Sequence, residues 1–325
     1  MRVIEYKAFG DPAEVLVPGE RPMPEPGPGE IRVRMTLSPI HNHDLWTIRG
    51  SYGVKPPLPA VGGTEAAGVV DAVGAEVTNV SVGQRVAASG LTSSWAEYFL
   101  MKAQRAVPLP DSVPDELGCQ LISMPISALM ALDDLGVKPG EWLIQNAATG
   151  AVGKTIAMIC QARGINVINV VRRDAGVGEL EALGISNNVS TQDPGWMDKA
   201  KMFPGSDPIL YAIDSVGGKE SGQLMSVLGE GATLMSFGTM SGGNMEISSG
   251  DLIFKQAKVI GFWGAKRSGR TTPADYARMI GELITLASNG QLNLPVEEIY
   301  GLEDGAKAAA ASMEPGRKGK VLIRG

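Results

Sequence analysis

The sequence predicts a two-domain α/β protein, a mostly β domain joined to a doubly wound parallel sheet. Three observations carry that prediction. The chain has 325 residues, more than one hydrophobic core usually serves. Pro18, Pro22, Pro24, Pro26 and Pro28 punctuate its start, and short alternating runs separated by glycines follow, the texture of a compact β domain. Farther on, apolar strands and helical segments take turns, the order from which parallel sheets are built.

Each element reads in order. Residues 1–12 suggest a strand and a turn. Residues 31–35 alternate like a half-buried strand, and 66–73 and 84–88 look similar, with Gly62, Gly63, Gly68, Gly74 and Gly83 between them. Helical spacing runs over 117–136 and ends on a glycine. A short strand over 142–146 leads directly into Ala147-Ala148-Thr149-Gly150-Ala151-Val152-Gly153. Val152, Ile156, Ile159 and Cys160 share one face of a helix that stops at Gly164. The nearly unbroken β-branched run over 165–171 is how a strand covered on both faces reads. A helix over 179–183 with Gly184 as its cap, a strand over 209–213, a helix over 219–228 and strands over 232–237 and 259–262 complete the alternation. A helix over 275–288 and a strand over 319–323 close the chain. The domains are therefore expected at 1–118, 119–265 and 266–325, the last segment returning to the first domain.

Composition narrows the function classes. Apolar residues make up 44% of the chain, enough for real cores, and its 42 glycines show no Gly-X-Y period. Such a load means tight turns and close backbone approaches. A net charge of -6 argues against a sequence-independent nucleic-acid binder, whose affinity rests on neutralising phosphates. Cys119 and Cys160 lie in apolar, helix-like surroundings and read as small buried hydrophobes in a reducing compartment. No run approaches the ~18 apolar residues of a membrane span. The opening residues resemble neither a signal nor a transit peptide, so a cytoplasmic location is expected.

The loop at 147–153 joins a strand to a helix. Gly150 allows a pyrophosphate close to the backbone, Gly153 lets the helix pack against the sheet, and the helix start offers free N–H groups. Ala148 replaces the first glycine of the standard G-x-G-x-x-G, so the flanking strand and helix carry the assignment rather than the literal motif. The next strand ends in Val171-Arg172-Arg173-Asp174. A carboxylate at this strand end would accept the ribose 2′-OH of NADH, whereas arginines suit the 2′-phosphate of NADPH. Two charge-assisted contacts of ~1.5 kcal/mol each would favour NADPH by roughly a hundredfold. Gly217-Gly218 and Phe237-Gly238-Thr239-Met240 follow later strand ends, where ligands of such sheets bind.

Hydride transfer requires a metal or hydrogen-bond donors to stabilise charge on the acceptor. His41 and His43 are the only histidines, and they sit in His41-Asn42-His43-Asp44 with no cysteine cluster anywhere. No metal site is predicted. Tyr52 lies in a glycine-flanked loop, and a phenol of pKa ~10 is protonated at neutral pH and can donate a proton.

These residues resemble the zinc-free branch of the medium-chain dehydrogenase/reductase superfamily, and within it the mitochondrial-type trans-2-enoyl-CoA/acyl-carrier-protein reductases. The resemblance covers nearly the whole chain. It is most specific at Ser38-Pro39-Ile40 through Asp44, Leu58-Pro59-Ala60-Val61-Gly62-Gly63-Thr64-Glu65, Gln145-Asn146-Ala147, Ile168-Asn169-Val170-Val171-Arg172, Ser215-Val216-Gly217-Gly218-Lys219, and Leu252-Ile253-Phe254-Lys255 with Gly261-Phe262-Trp263. It implies a GroES-like catalytic domain around an inserted Rossmann domain, usually as a homodimer. It also implies a proton-donor role for Tyr52, a phosphate loop at Thr149, Gly150, Ala151, Val152 and Gly153, and a 2′-phosphate clamp of Arg172 and Arg173. Phe237, Gly238, Thr239 and Met240 would flank the nicotinamide together with Phe262, Trp263 and Gly264, with Phe262 and Trp263 also lining the acyl pocket, and Lys320 would be the basic residue before the last strand. The family usually has Asn-Pro-Ser-Asp where this chain has His41-Asn42-His43-Asp44.

The expected activity is NADPH-dependent reduction of the double bond of a 2-enoyl thioester. A quinone or alkenal reductase on the same scaffold is the alternative among enzymes. A non-catalytic NADPH-binding protein is the alternative of another class.

Overall fold

The computed structural model describes residues 1–325. The chain divides into two units: Met1–Ser123 with Glu282–Ser288 and Asn293–Gly325, and Met124–Gly281 with Asn289–Leu292. The crossings fall later than the expected 118 and 265. The second crossing lies within one continuous helix, Pro273–Ser288, where no break in sequence texture marks it.

The first unit is built on antiparallel strands. Glu30–Pro39 is its longest, burying Ile31, Val33, Met35 and Leu37 while Arg32 and Arg34 point away from the core, which is the alternation seen in the sequence. It pairs with Glu65–Val73, with Tyr98–Lys102 and with the last strand, Lys320–Arg324. The end of the chain therefore returns to this sheet as expected. A second, three-stranded sheet joins Val17–Glu20, Arg2–Tyr6 and Ala60–Val61. Trp95 is fully buried in the shared core. At Gly63 (φ +90°) a Cβ would lie 2.4 Å from the Trp95 ring. Only glycine both takes that backbone angle and admits the indole, and the turn it makes delivers Thr64 and Glu65.

The second unit is a six-stranded parallel sheet. In spatial order its strands are Asn188–Ser190, Asn166–Val171, Trp142–Gln145, Ile209–Asp214, Thr233–Ser236 and Lys258–Gly261. Counted along the chain this is the order 3-2-1-4-5-6 of a Rossmann fold, with its switch point between Trp142–Gln145 and Ile209–Asp214. Val167 through Val171 are buried, as the β-branched run predicts.

One expected element divides. The helix predicted over 117–136 is two helices, Asp115–Gly118 and Ser123–Leu135. The interruption has a cause far away in the chain. The N–H groups of Ile122 and Ser123 both donate to Glu65 Oε1, each at 2.7 Å. A carboxylate reaching in from a distant strand starts the second helix where local spacing would have continued the first.

Candidate active site

The nucleotide-binding half begins at the switch point. Helix Ala151–Arg163 follows Gly150, which caps it without any side-chain hydrogen bond. Its first-turn N–H groups therefore have neither a helical nor a capping partner, the arrangement that receives an anion. A Cβ on Gly153 would lie 2.6 Å from Ala148 Cα and 2.8 Å from Ala147 O. The close packing there depends on the missing side chain. Gln145 Nε2 donates to Gly153 O and to Asn169 Oδ1, both at 2.8 Å, so a buried amide ties the loop's helix to two central strands.

Arg172 and Arg173 stand exposed just past the end of strand Asn166–Val171. Asp214 ends the strand Ile209–Asp214 and is fully buried. Its carboxylate accepts from Asn146 Nδ2 at 2.6 Å, from the N–H groups of Val216 and Gly217, and from the Ser221 hydroxyl. Asn146 Oδ1 in turn accepts from Ser215 N at 2.7 Å. This network clamps the two strand ends that meet at the switch point, and nothing in the sequence pattern singled out Asp214 or Asn146 for it.

Two later loops converge at the same end of the sheet. Phe237 and Phe262 follow adjacent strands and stack with ring centroids 5.1 Å apart and planes 10° from parallel. Gly238 passes so close to Ser215 that a Cβ would meet its carbonyl oxygen at 2.7 Å. Thr239, Met240 and Trp263 are exposed, and Gly264 is partly buried. The loop at 237–240 and the turn at 262–264, distant in sequence, thus form one wall. With the uncapped helix start and the exposed arginines, these residues fit a dinucleotide carrying an extra phosphate.

The first unit holds a polar cluster on the strand start at Glu65 and the helix Asn42–Ile48. His41 is the N-cap of that helix, and its N–H donates to Asp44 Oδ2 at 2.8 Å. His41 Nε2 lies 2.7 Å from Glu65 Oε2, both side chains essentially inaccessible. Burial pushes the Glu65 carboxyl up to about 8 against the pull of the Ser123 and Ile122 N–H groups. Burial also holds the His41 imidazole well below its ordinary value, with Lys320 and His43 adding to the shift. His41 Nδ1 has no hydrogen-bond partner.

A second line of hydrogen bonds runs beside this pair. Thr64 Oγ1 donates to Asp44 Oδ1 at 2.8 Å, and His43 Nε2 lies 2.7 Å from the same hydroxyl oxygen. A hydroxyl has one proton. Because Thr64 gives its proton to the carboxylate, it accepts from His43 Nε2–H. The two imidazoles stack, with centroids 5.0 Å apart.

Tyr52 is partly buried in the loop after the helix, its N–H on Trp46 O at 3.2 Å. Its ring centroid is 6.0 Å from that of His43. Lys320 starts the last strand and donates from Nζ to Ile40 O at 3.0 Å. Burial of the ammonium pushes its pKa down to about 8, opposed by Asp44 and Glu65. Tyr52, His43 and Lys320 therefore share one region of the first unit, whereas the predicted phosphate, ribose and nicotinamide residues lie on the second.

Comparison with known proteins identifies the family and the fold. The family described as alcohol dehydrogenase GroES-like domain matches residues 27–111, and the family described as zinc-binding dehydrogenase matches 151–284. The mitochondrial enoyl-acyl-carrier-protein reductase of Homo sapiens is 31% identical over 330 residues, covering 99% of this chain and 88% of that protein. The Escherichia coli quinone oxidoreductase complexed with NADPH has the same fold, with a TM-score of 0.87 at 24% identity over 100% of both chains. So does a mutant form of enoyl thioester reductase from Candida tropicalis, with a TM-score of 0.85 at 22% identity over 100% of this chain and 99% of that one. The chain belongs to the medium-chain dehydrogenase/reductase superfamily, in the oxidoreductase family of the enoyl-acyl-carrier-protein reductases.

Proposed function

We propose that this protein reduces the carbon–carbon double bond of 2-enoyl thioesters with NADPH, without zinc. The observation that carries the reading is the setting of Tyr52, a proton donor beside the hydrogen-bonded line His43–Thr64–Asp44. Full-length similarity to an enoyl-acyl-carrier-protein reductase supports the substrate class.

The residues divide the work. Thr149, Gly150, Ala151, Val152 and Gly153 would hold the pyrophosphate, and Arg172 and Arg173 the 2′-phosphate. The loop at 237–240 and Phe262, Trp263 and Gly264 would border the nicotinamide and the acyl group. NADPH, when bound, supplies the hydride that adds to the β-carbon. Tyr52 gives its phenolic proton to the α-carbon. Zinc independence is supported by the donor set. His41 Nε2 is already engaged by Glu65.

A homodimer is part of the proposal. Strand Lys258–Gly261 ends the six-stranded sheet and is exposed throughout, with Ile253 and Phe254 exposed shortly before it. An unpaired edge flanked by apolar side chains suits a second copy extending the sheet. Light scattering at twice the monomer mass is the expected result.

The test of function is NADPH oxidation with crotonyl-CoA beside 1,4-benzoquinone. Crotonyl-CoA should be reduced to the saturated thioester. Activity confined to the quinone would overturn the enoyl reading and favour a quinone reductase. Tyr52→Phe should lower turnover about 10²-fold or more with unchanged NADPH affinity. An undiminished rate would remove Tyr52 from the mechanism.

A further inference from the structure

We propose that His43 is the residue that reprotonates Tyr52 in each turnover, held for this by Thr64 and Asp44. The inference rests on the enoyl-reductase reading, because it concerns the proton which that reaction consumes.

Geometry fixes which nitrogen is available. Thr64 Oγ1 donates to Asp44 Oδ1 and so must accept from His43 Nε2–H. Asp44 Oδ2 is tied to the N–H of His41, so the carboxylate that anchors this line cannot swing away without uncapping its own helix. A ring with Nε2 committed as a donor has only Nδ1 left to gain and lose a proton. His43 is partly exposed, unlike the sealed His41, so solvent reaches this residue. Its ring lies 6.0 Å from the Tyr52 ring between centroids, so the imidazole is a direct neighbour of the phenol.

The charged and titratable groups around His43 come from four elements. Asp44 lies on its own helix, with Oδ1 3.6 Å from Nε2. His41 stacks on it from the N-cap, Glu65 approaches from the facing strand, Lys320 neighbours Asp44 and Glu65 from the last strand, and Tyr52 follows in the next loop. With Glu65 and His41 both pushed toward their neutral forms by burial, Asp44 is the charge that faces His43 most directly.

The steps balance. Tyr52 O–H breaks as a C–H bond forms at the α-carbon, leaving the phenolate. The His43 imidazolium then passes its Nδ1 proton to that phenolate, directly or through one water. Neutral imidazole remains, still donating Nε2–H to Thr64, and solvent returns the Nδ1 proton.

Two measurements test this together. The chain has two histidines, so ¹⁵N NMR of the imidazoles shows both, and the spectrum of His43→Gln assigns the His43 signals. At high pH His43 should be the Nε2–H tautomer, and Thr64→Val should abolish that preference. The pH profile of kcat for crotonyl-CoA should fall as His43 loses its Nδ1 proton, with the kinetic midpoint matching the NMR midpoint. His43→Gln, which keeps a donor for Thr64, should lower kcat about 10²-fold and remove that limb. Because His43 acts through Tyr52, the double variant Tyr52→Phe/His43→Gln should be within about twofold of Tyr52→Phe alone. An Nδ1–H tautomer, a limb that survives in His43→Gln, or losses that multiply in the double variant would each overturn the relay. Wild-type enzyme inert to crotonyl-CoA overturns the substrate reading and the relay with it. Active enzyme whose limb survives in His43→Gln overturns the relay alone.

Discussion

The glycine loop of the second unit and the histidine cluster of the first are both polar sites, yet they are built in opposite ways. At the loop, the polar groups belong to backbone. Small residues at 147–153 keep N–H groups bare at the start of a helix, and no side chain caps them. At the cluster, the polar groups belong to side chains that cap and hold one another, from His43 through Thr64 to Asp44, and from His41 to Glu65. Adding an atom to the first should be more damaging than changing a polar atom in the second.

The sharpest way to break that comparison is at Gly153. A side chain there meets only backbone, at 2.6 Å and 2.8 Å, and backbone cannot rotate aside. Gly153→Val should cost at least about 3 kcal/mol by overpacking and raise the Kd for NADPH more than about a hundredfold. Denaturant titration and calorimetric NADPH binding check both. Gly178 is the control: it is exposed on the helix Asp174–Glu181, and a methyl group added there would point into open space. Gly178→Ala should be neutral or stabilise by about 0.5–1 kcal/mol. If Gly153→Val binds NADPH normally, close backbone approach is not what makes this site.

Next in size is the cofactor preference. Arg172 and Arg173 stand exposed beyond their strand. Replacing both with alanine should raise the Kd for NADPH about a hundredfold, with little change for NADH. Equal weakening of both cofactors would mean that the arginines supply only general positive charge.

How much was legible in the sequence follows from the same contrast. The strand, loop and helix at 142–164 could be read because each cue acts within a few residues, from the β-branched run to the left-handed Gly164 (φ +68°) that stops the helix. Gly153 and the arginines declared themselves by spacing. The cluster could not be read as a network because its bonds join residues far apart. Thr64 to Asp44 spans 20 positions, His41 to Glu65 spans 24, Ser123 to Glu65 spans 58, and Lys320 to Ile40 spans 280. His41 and His43 stood out as the only histidines, and Asp44 and Glu65 lay within the blocks that carry the family resemblance, but their pairing required the fold. Asp214 was hidden for a further reason: an aspartate ending an apolar strand looks the same whether it faces water or, as here, is fully buried and ties Asn146 to Ser221. The single helix read over 117–136 failed through the same long reach, since Glu65 sets where the second helix begins.

The smallest expected effect separates the two proton lines of the cluster. Burial raises the Glu65 carboxyl from 4.5 to about 8. Between those values the folded chain keeps a proton that the unfolded chain has released. The stability this provides is full below about 4.5, declines as pH rises through the window, and is gone above about 8. Its slope is at most about 1.4 kcal/mol per pH unit. Glu65→Gln retains an oxygen for the N–H groups of Ile122 and Ser123 but cannot ionise. The stability difference between wild type and Glu65→Gln should therefore move in favour of the variant by about 1 kcal/mol per unit as pH rises from about 5 to about 8. His41, held low by burial, contributes a slope of the opposite sign at acidic pH; because burial persists in the variant, most of that slope cancels in the difference. Urea titrations at successive pH values measure it. A difference independent of pH would mean that Glu65 is ionised throughout and accepts from His41 Nε2–H. The buried pair would then be a fixed hydrogen bond carrying charge, and proton movement in this cluster would belong to the His43 line alone.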